Sequence, residues 1–504
     1  MNHQKTNIRW TVVSLMMGLL LASLDQTIVS TAMPTILSEF GGMDKFVWVF
    51  SAYMIASVVS MPLFGKLSDM YGRKLFFITG ISVFMIGSAL CGTSQSMTQL
   101  IIYRAIQGIG GGALMPITFT IIFDIFPPEK RGKMQGLFGA VFGISSVFGP
   151  IAGAYFTDHI NWRWIFYINL PMGILSLLML LAFYHESREH KKQSIDWLGT
   201  IIFAGAVLCL MFGIELGGKE YDWTSWRIVG LFAGFAVLLL VFLFAEIRAK
   251  SPIIPLYLFK IRMFSASQIV SFFYGAILIS SATYIPLFVQ GVYGGTATNS
   301  GQVLTPMMLG VVASSMIGGR FIGKTAYRNI MLVSVAILLV SSLLLSTMEI
   351  NTPRWMVTIY MILTGLGIGS SFPVISMSSL HYVGFAERGI VTSLIAFFRT
   401  IGSAVGVTVL GALQVDYFQN KLQAIAANSP LAGQLGDGHA LLLPQVRSHI
   451  PAAILQRLTG ALADSIAYIY SWTIVFVVIA AVMILLMGRT KMEFPQKAKA
   501  RDDK

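Results

Sequence analysis

Fourteen apolar runs divide this chain, each long enough to cross roughly 30 Å of hydrocarbon at 1.5 Å per helical residue. They fall at 11–36, 46–65, 75–94, 98–122, 134–157, 163–184, 197–217, 227–247, 263–289, 301–322, 329–348, 355–376, 389–414 and 466–488. Lipid offers no hydrogen-bond partners, so a spanning backbone must satisfy its own N–H and C=O groups, and runs of this length do so as helices. The chain has 504 residues, 55% hydrophobic and 11% charged, too few charges to clothe the roughly three soluble domains its length would allow. The expected fold is an all-α membrane protein of fourteen transmembrane helices.

The formal charge of +13 would suggest nucleic acid in a soluble protein. Here topology accounts for it. With the N-terminus inside, the tail (Lys5, Arg9), alternate loops and the basic C-terminal tail carry about 25 Lys and Arg, and the opposite loops about 8. This predicts both termini in the cytoplasm and an even number of spans. Trp162, Trp164, Trp223, Trp226 and Trp355 fall at predicted outer helix ends, where indoles anchor. Cys91 and Cys209 sit in apolar runs and imply no disulfide framework. The first run is too long for a cleavable signal peptide and contains Asp25.

A weak internal repeat relates spans 1–6 to spans 9–14. Glu129-Lys-Arg131-Gly132 matches Glu387-Arg388-Gly389, and Gly65 to Lys74 matches Gly319 to Arg328 with loss of the aspartate. The two fifth spans are both glycine-spaced, Gly139, Gly143, Gly149 and Gly153 against Gly402, Gly406 and Gly411. Parallel repeats are a transporter architecture. The expected organisation is an N-terminal six-helix bundle (1–190), two inserted helices (191–262) and a C-terminal six-helix bundle (263–504). A long outer connection at 415–465 is expected to lie partly on the membrane surface through Ile450, Ala453, Ile454, Arg457, Leu458 and Ala461.

Few charges fall inside spans. Asp25 is near the middle of the first, where a carboxylate must face the bundle interior. Burial and a nearby cation pull such a group in opposite directions, which suits a proton carrier; the alternative is a hydrogen-bonded packing residue. Arg104, Gln107 and Gly111 share one face of the fourth span, with Gly108 and Gly112 spaced for close packing, and Asp25 is the leading partner for Arg104. Between spans 2 and 3, Gly65 and Gly72 permit a tight turn. Asp69 can cap the third helix or latch onto a base such as Arg131, while Arg73 and Lys74 stay inside. In the fifth span Gly149 and Gly153 flank Pro150, which removes a backbone bond and predicts a kink. Arg399 is a second intramembrane cation, open to packing or to pairing with substrate or another anion. Glu215 and Glu246 lie near helix ends, where interfacial positions are expected; Glu215 remains a possible coupling residue.

Two patterns are misleading. Gly108 to Ala113 contains a dinucleotide-type glycine spacing, and Gly318 to Thr325 satisfies the phosphate-loop pattern, but both lie in or at the end of apolar spans without a preceding strand. Neither ATP nor nucleic acid is expected as a partner. No metal or cofactor motif is present, the seven histidines are scattered, and no paired nucleophile and base points to an enzyme.

These residues together resemble the major facilitator superfamily, and within it the 14-helix drug:proton antiporter family of bacterial multidrug exporters. Gly65 to Lys74 resembles its cytoplasmic loop motif, and Arg104-x-x-Gln107-Gly108-x-Gly110 the helix-4 motif linked to proton coupling. Gly149-Pro150-Ile-Ala-Gly153 resembles the helix-5 antiporter motif, with Ala154 where the family often has Gly. Leu24-Asp25 to Pro34 and Trp162 to Pro171 resemble signatures of the 14-helix branch. The resemblance implies two six-helix bundles around a mid-bilayer cavity and efflux of amphipathic, cationic small molecules across the bacterial cytoplasmic membrane. It implies a proton gradient as energy source and no cofactor. The other reading within the fold is a proton-coupled symporter for uptake of a small metabolite; a membrane enzyme or receptor is the reading of another class.

Overall fold

The computed structural model describes residues 6–41, 45–186, 196–218, 220–249, 251–295, 297–426 and 451–492. Lys5, Ile450, residues 493–504 of the C-terminal basic tail and the side chain of Glu129 lie outside the described residues. Among the described residues sixteen α-helices follow one another: α1 (Ile8–Phe40), α2 (Phe46–Tyr71), α3 (Arg73–Gly92), α4 (Met97–Ile125), α5 (Pro128–His159), α6 (Trp164–Tyr167), α7 (Asn169–Phe183), α8 (Trp197–Leu216) and α9 (Trp226–Arg248), then α10 (Arg262–Gly291), α11 (Ala297–Phe321), α12 (Tyr327–Ser346), α13 (Arg354–Gly369), α14 (Ser371–Ser379), α15 (Arg388–Ala426) and α16 (Ala452–Leu486). Thirteen helical spans among the described residues are long and apolar enough to cross a membrane. The glycine-rich α5, 32 residues long, packs between α1 and α11.

Each expected span meets a helix, with two internal breaks. The chain turns at Ile168 between α6 and α7 and at Ser370 between α13 and α14. Each break lies three residues before a proline, Pro171 and Pro373, whose missing N–H frees a carbonyl one turn upstream. Pro150, by contrast, lies inside an uninterrupted α5.

Helices α1 to α7 pack on one another, as do α10 to α16, while α8 lies against α2 and α15 and α9 packs on α8. Apolar side chains gain little from leaving lipid for a neighbouring helix, so small residues set the approach distances. A Cβ at Gly110 would collide with the backbone of Phe84 and Gly80 in α3, and one at Gly108 with the backbone of Tyr53 in α2. Across the second group, Gly365 meets the carbonyl of Met307, and Gly402 that of Phe272. Most of α9 faces outward, with Val229, Val237, Leu240, Phe244 and Ile247 exposed.

Three expectations at the helix ends are corrected. The described parts of the connection at 415–465 continue its flanking helices: α15 runs to Ala426 and α16 starts at Ala452. Gln414 Nε2 donates to Ser465 Oγ at 2.9 Å, Tyr417 stacks on Tyr468 at 4.5 Å, and Lys421 pairs with Asp464 at 3.4 Å. These contacts give the polar ends a partner, so they remain helical; Ala453 to Ala461 form the start of α16 rather than a surface helix. Trp162 is buried and donates to Glu39, whereas Trp164, Trp223, Trp226 and Trp355 are exposed as anchors should be. Glu246 is buried and accepts the Ile254 N–H at 2.6 Å, fixing the turn that follows α9.

Gly110→Leu is expected to lower stability by about 1–3 kcal/mol through overpacking against α3. Gly301→Ala, at a position with open space beside it, should be neutral. Thermal unfolding of detergent-solubilised protein checks the contrast; equal midpoints would contradict the close α3–α4 approach.

Candidate functional site

The N-terminal segment and the ends of α7, α12 and α16 share one face: Asn7 N–H donates to the Phe183 carbonyl and Tyr327 N–H to that of Thr490. Arg131, Arg388, Arg489 and Lys491 line one cavity there. We call this the basic face.

Asp25 lies 17 residues into α1, about 25 Å from its basic-face end. It is fully buried. Arg104 Nη1 in α4 donates to Asp25 Oδ2 at 2.5 Å. Gln107, one turn along, donates to Oδ1 at 2.8 Å, and its own carbonyl oxygen accepts from Arg104 at 2.7 Å. Asn169, the first residue of α7, donates to Oδ1 at 3.1 Å and to Ser88 Oγ at 3.0 Å. The carboxylate therefore receives three N–H donors, the arrangement suited to its ionised, acceptor-only form. Arg104 is completed by Nε donating to the Val49 carbonyl at 3.2 Å and by the Tyr53 ring 4.4 Å below it. The structure thus brings together Asp25, Arg104 and Gln107. Sequence reasoning gave no role to Asn169, Ser88 or Tyr53; the signal was a lone Asn opening an apolar run.

Gly149 and Gly153 of α5 face α1 beside this pair. A Cβ at Gly149 would strike Thr27 Oγ1, and one at Gly153 would strike Thr31 Oγ1 and the Ile28 carbonyl. Thr27 Oγ1 donates to the Ser145 carbonyl at 3.0 Å, and Ser23 Oγ to Ser145 Oγ at 2.9 Å. Gly143 faces Val312 and Met308 of α11. So α5 touches the helix of Asp25 on one side and the second group of helices on the other.

At the basic face the two groups are latched. Asp69 accepts the N–H groups of Gly389 and Ile390, each at 2.9 Å. These are the first amides of α15, where unsatisfied donors and the helix dipole favour an anion. Asp69 also pairs with Arg73 at 3.2 Å. Arg73 is buried, donates to the Phe385 carbonyl at 3.0 Å, stacks on that ring at 4.0 Å and pairs with Asp124. Arg388 reaches Asp124 at 3.1 Å, and the Thr120 and Thr392 hydroxyls meet at 2.6 Å.

This corrects the expected latch. Asp69 caps α15 rather than the third helix, and Arg73 rather than Arg131 is its basic partner; Arg131 donates to the Phe126 carbonyl at 3.0 Å. Gly65 is no turn residue either. It lies within α2, and a Cβ there would meet Ser393 and the Gly389 carbonyl, so its smallness permits the two groups to touch. Gly72, with φ of 112°, makes the turn. Asp124 went unrecognised because an acid at a helix end reads as interfacial. Glu215 is half-buried in the last turn of α8. Arg399 lies in α15, against Phe372 of α14.

Two predictions follow from the clusters. Asp25→Asn and Arg104→Gln should each cost about 3–5 kcal/mol by stranding a buried partner. The double variant should be more stable than the sum of the two losses implies; strictly additive losses in detergent unfolding would contradict the pairing. Second, a cysteine replacing buried Ser393, in a background lacking Cys91 and Cys209, should react at least about fivefold faster with a polar thiol reagent when Asp69 is changed to Ala. An unchanged rate would mean the latch does not hold this face shut.

The arrangement has clear relatives. Residues 15–407 match the Major Facilitator Superfamily. The chain is 48% identical over 496 residues to Multidrug resistance protein 3 of Bacillus subtilis, covering 97% of each. It is 35% identical to the Multidrug transporter protein MdtP of the same organism, over 98% of this chain and 95% of the relative. Among solved structures, the human organic anion transporter MFSD10 (TETRAN) shares the fold with a TM-score of 0.60 at 14% identity, covering 94% of this chain and 100% of that one. This multi-span helical membrane protein belongs to the major facilitator superfamily.

Proposed function

We propose that the chain exports amphipathic small molecules across the bacterial cytoplasmic membrane, driven by the proton gradient. The names of its bacterial relatives, a multidrug resistance protein and a multidrug transporter, support the class of cargo. The observation that carries the coupling is the isolated Asp25–Arg104 pair, with both groups out of water at bilayer depth. An ionisable residue there is costly and is retained where protons or ions move.

In this reading the basic face is cytoplasmic, with both termini inside, and the bundles at 1–190 and 263–504 rock about a mid-bilayer cavity. The latched state then has its inner gate closed. A proton reaching Asp25 removes the charge that Arg104 and Gln107 grip. Arg104 keeps the Val49 carbonyl and the Tyr53 ring, while α1 is freed to shift. The Thr27–Gly149 and Ile28–Gly153 contacts pass that shift to α5, and α5 bears on α11. Alternation follows from the differential stability of two states, not from a push. Gly65, Asp69, Arg73 and Asp124 set the balance at the inner gate. The reading needs no ATP, metal or cofactor and involves no nucleic acid or enzymatic step.

Asp25→Asn is the direct test. In membrane vesicles with an imposed pH gradient, gradient-driven transport of a fluorescent lipophilic dye should fall to the uncoupler-treated level, with the protein inserted at normal abundance. Undiminished gradient-driven transport would sink the carrier assignment.

A further inference from the structure

Arg399 is the second guanidinium at membrane depth, and it differs from Arg104 in what surrounds it. It lies 11 residues beyond Arg388 at the start of α15, about 16 Å from the basic face. Its backbone carbonyl and Cγ lie against Gly275 of α10, where a Cβ would collide with them. Its guanidinium rests 4.0 Å from the Phe372 ring centroid. Nη2 is buried and meets no hydrogen-bond acceptor among the described residues, and no charged side chain among them acts on the group.

The guanidinium borders a small cavity at the boundary between the two groups of helices. Met115 and Phe119 come from α4, and Phe372, Ser376, Thr392 and Arg399 from α14 and α15. Its volume is about 10 Å³, room for one water. The floor toward the basic face is the Thr120–Thr392 contact, part of the latch. In the efflux reading, parting of the latch separates α4 from α15 and opens the boundary at this cavity.

The electrostatics of this place favour one sign of ligand. Asp25 is enclosed by its own donors and offers no free negative charge to the boundary. Arg399 offers an unclaimed fork of N–H donors whose geometry matches a carboxylate. The opposing wall supplies a methionine and an aromatic ring, soft apolar surface that accepts varied shapes.

We propose that Arg399 and Phe372 form an anion-recognising subsite, so that the cargo includes amphipathic aromatic carboxylates: the acid group pairs with Arg399 and the ring lies between Phe372, Met115 and Phe119. The inference rests on the efflux reading and replaces the expected preference for cations. A ligand so placed touches both groups of helices, and its contacts change as they part.

The test compares 2-naphthoate with methyl 2-naphthoate, alike in ring and different in charge, by calorimetric titration of purified full-length protein. The wild type should bind the acid more than about tenfold tighter than the ester, and Arg399→Gln should bring the two affinities within about twofold of each other. No preference in the wild type, or a preference that survives in Arg399→Gln, overturns the subsite. If Arg399→Gln fails to elute as a single species, Arg399→Lys carries the comparison. Its point charge should cut the preference about threefold or more, and an unchanged preference overturns the fork geometry. Binding is read without a gradient, which separates the two readings. A protein that prefers the acid but moves neither naphthoate nor a lipophilic cation dye in vesicles keeps the subsite and loses the efflux reading. Proton-driven efflux of the dye with no acid preference does the reverse.

Discussion

In a bilayer the association of helices cannot rest on hiding apolar surface, because lipid is as apolar as leucine. What remains is close approach and the pairing of polar groups that have no water to turn to. Both govern this chain. Gly108, Gly110, Gly149, Gly153, Gly365 and Gly402 each sit where a Cβ would overlap a neighbouring helix. Buried hydroxyls such as Ser14, which donates to the Ser176 carbonyl at 2.6 Å, and Ser341, which meets Thr364 at 2.5 Å, tie helices at the same spacing. Such contacts fit at one distance and one rotation. A bundle built on them moves as a block, and a switch between two packings is open to it more readily than gradual deformation.

The two acid–base clusters serve different ends because of where they lie. Asp25 and Arg104 belong to the same group of helices, so their pairing shapes that group from within. The Asp69–Arg73–Asp124–Arg388 cluster spans the boundary, and two of its strongest contacts are with α15 backbone amides rather than with side chains. A carboxylate on a helix N-terminus is held by oriented peptide dipoles and needs no partner charge to be conserved in one rotamer. In the proposed alternating-access reading it can therefore form and break without stranding a buried cation. Arg73 keeps Asp124, while Phe385 and the α15 amides are what it and Asp69 give up.

Most of the fold was legible because hydrophobic run length is a strong signal in a chain whose solvent is lipid. Each of the fourteen apolar runs falls on a helix, thirteen helical spans among the described residues are long and apolar enough to cross a membrane, and the errors concentrate at polar ends. The last turn of α2, residues 66–71, and the outer turns of α15 and α16 carry charges, so they read as loops; they stay helical because a partner helix lies alongside. The site was legible in part for the same reason. Asp25 and Arg104 stand out against an apolar background, and the low tolerance of lipid for a lone charge pairs them. Asn169, Tyr53 and Thr120 do not stand out, since uncharged polar residues are common in membrane helices. The partner of Asp69 was misread because sequence shows only side chains, and the groups that bind it are backbone amides 320 positions away.

Arg399 shows what the same background logic yields when no partner is found. A buried cation retains its charge only at a cost, and Arg104 offsets that cost with Asp25, Gln107 and a backbone carbonyl. Arg399 has a ring face and a small cavity beside it. Cation–π contact over one face leaves the N–H edge of a guanidinium unsatisfied, because the ring quadrupole attracts from above while hydrogen bonds are made in the plane. If the two groups of helices part along this boundary as proposed, an unsatisfied in-plane donor set is an affinity held in reserve for whatever enters when they do. A substrate that supplies the missing acceptor stabilises the state in which it can reach Arg399. The same contact that selects the cargo thereby biases the gate, and selectivity and alternation become one equilibrium rather than two devices.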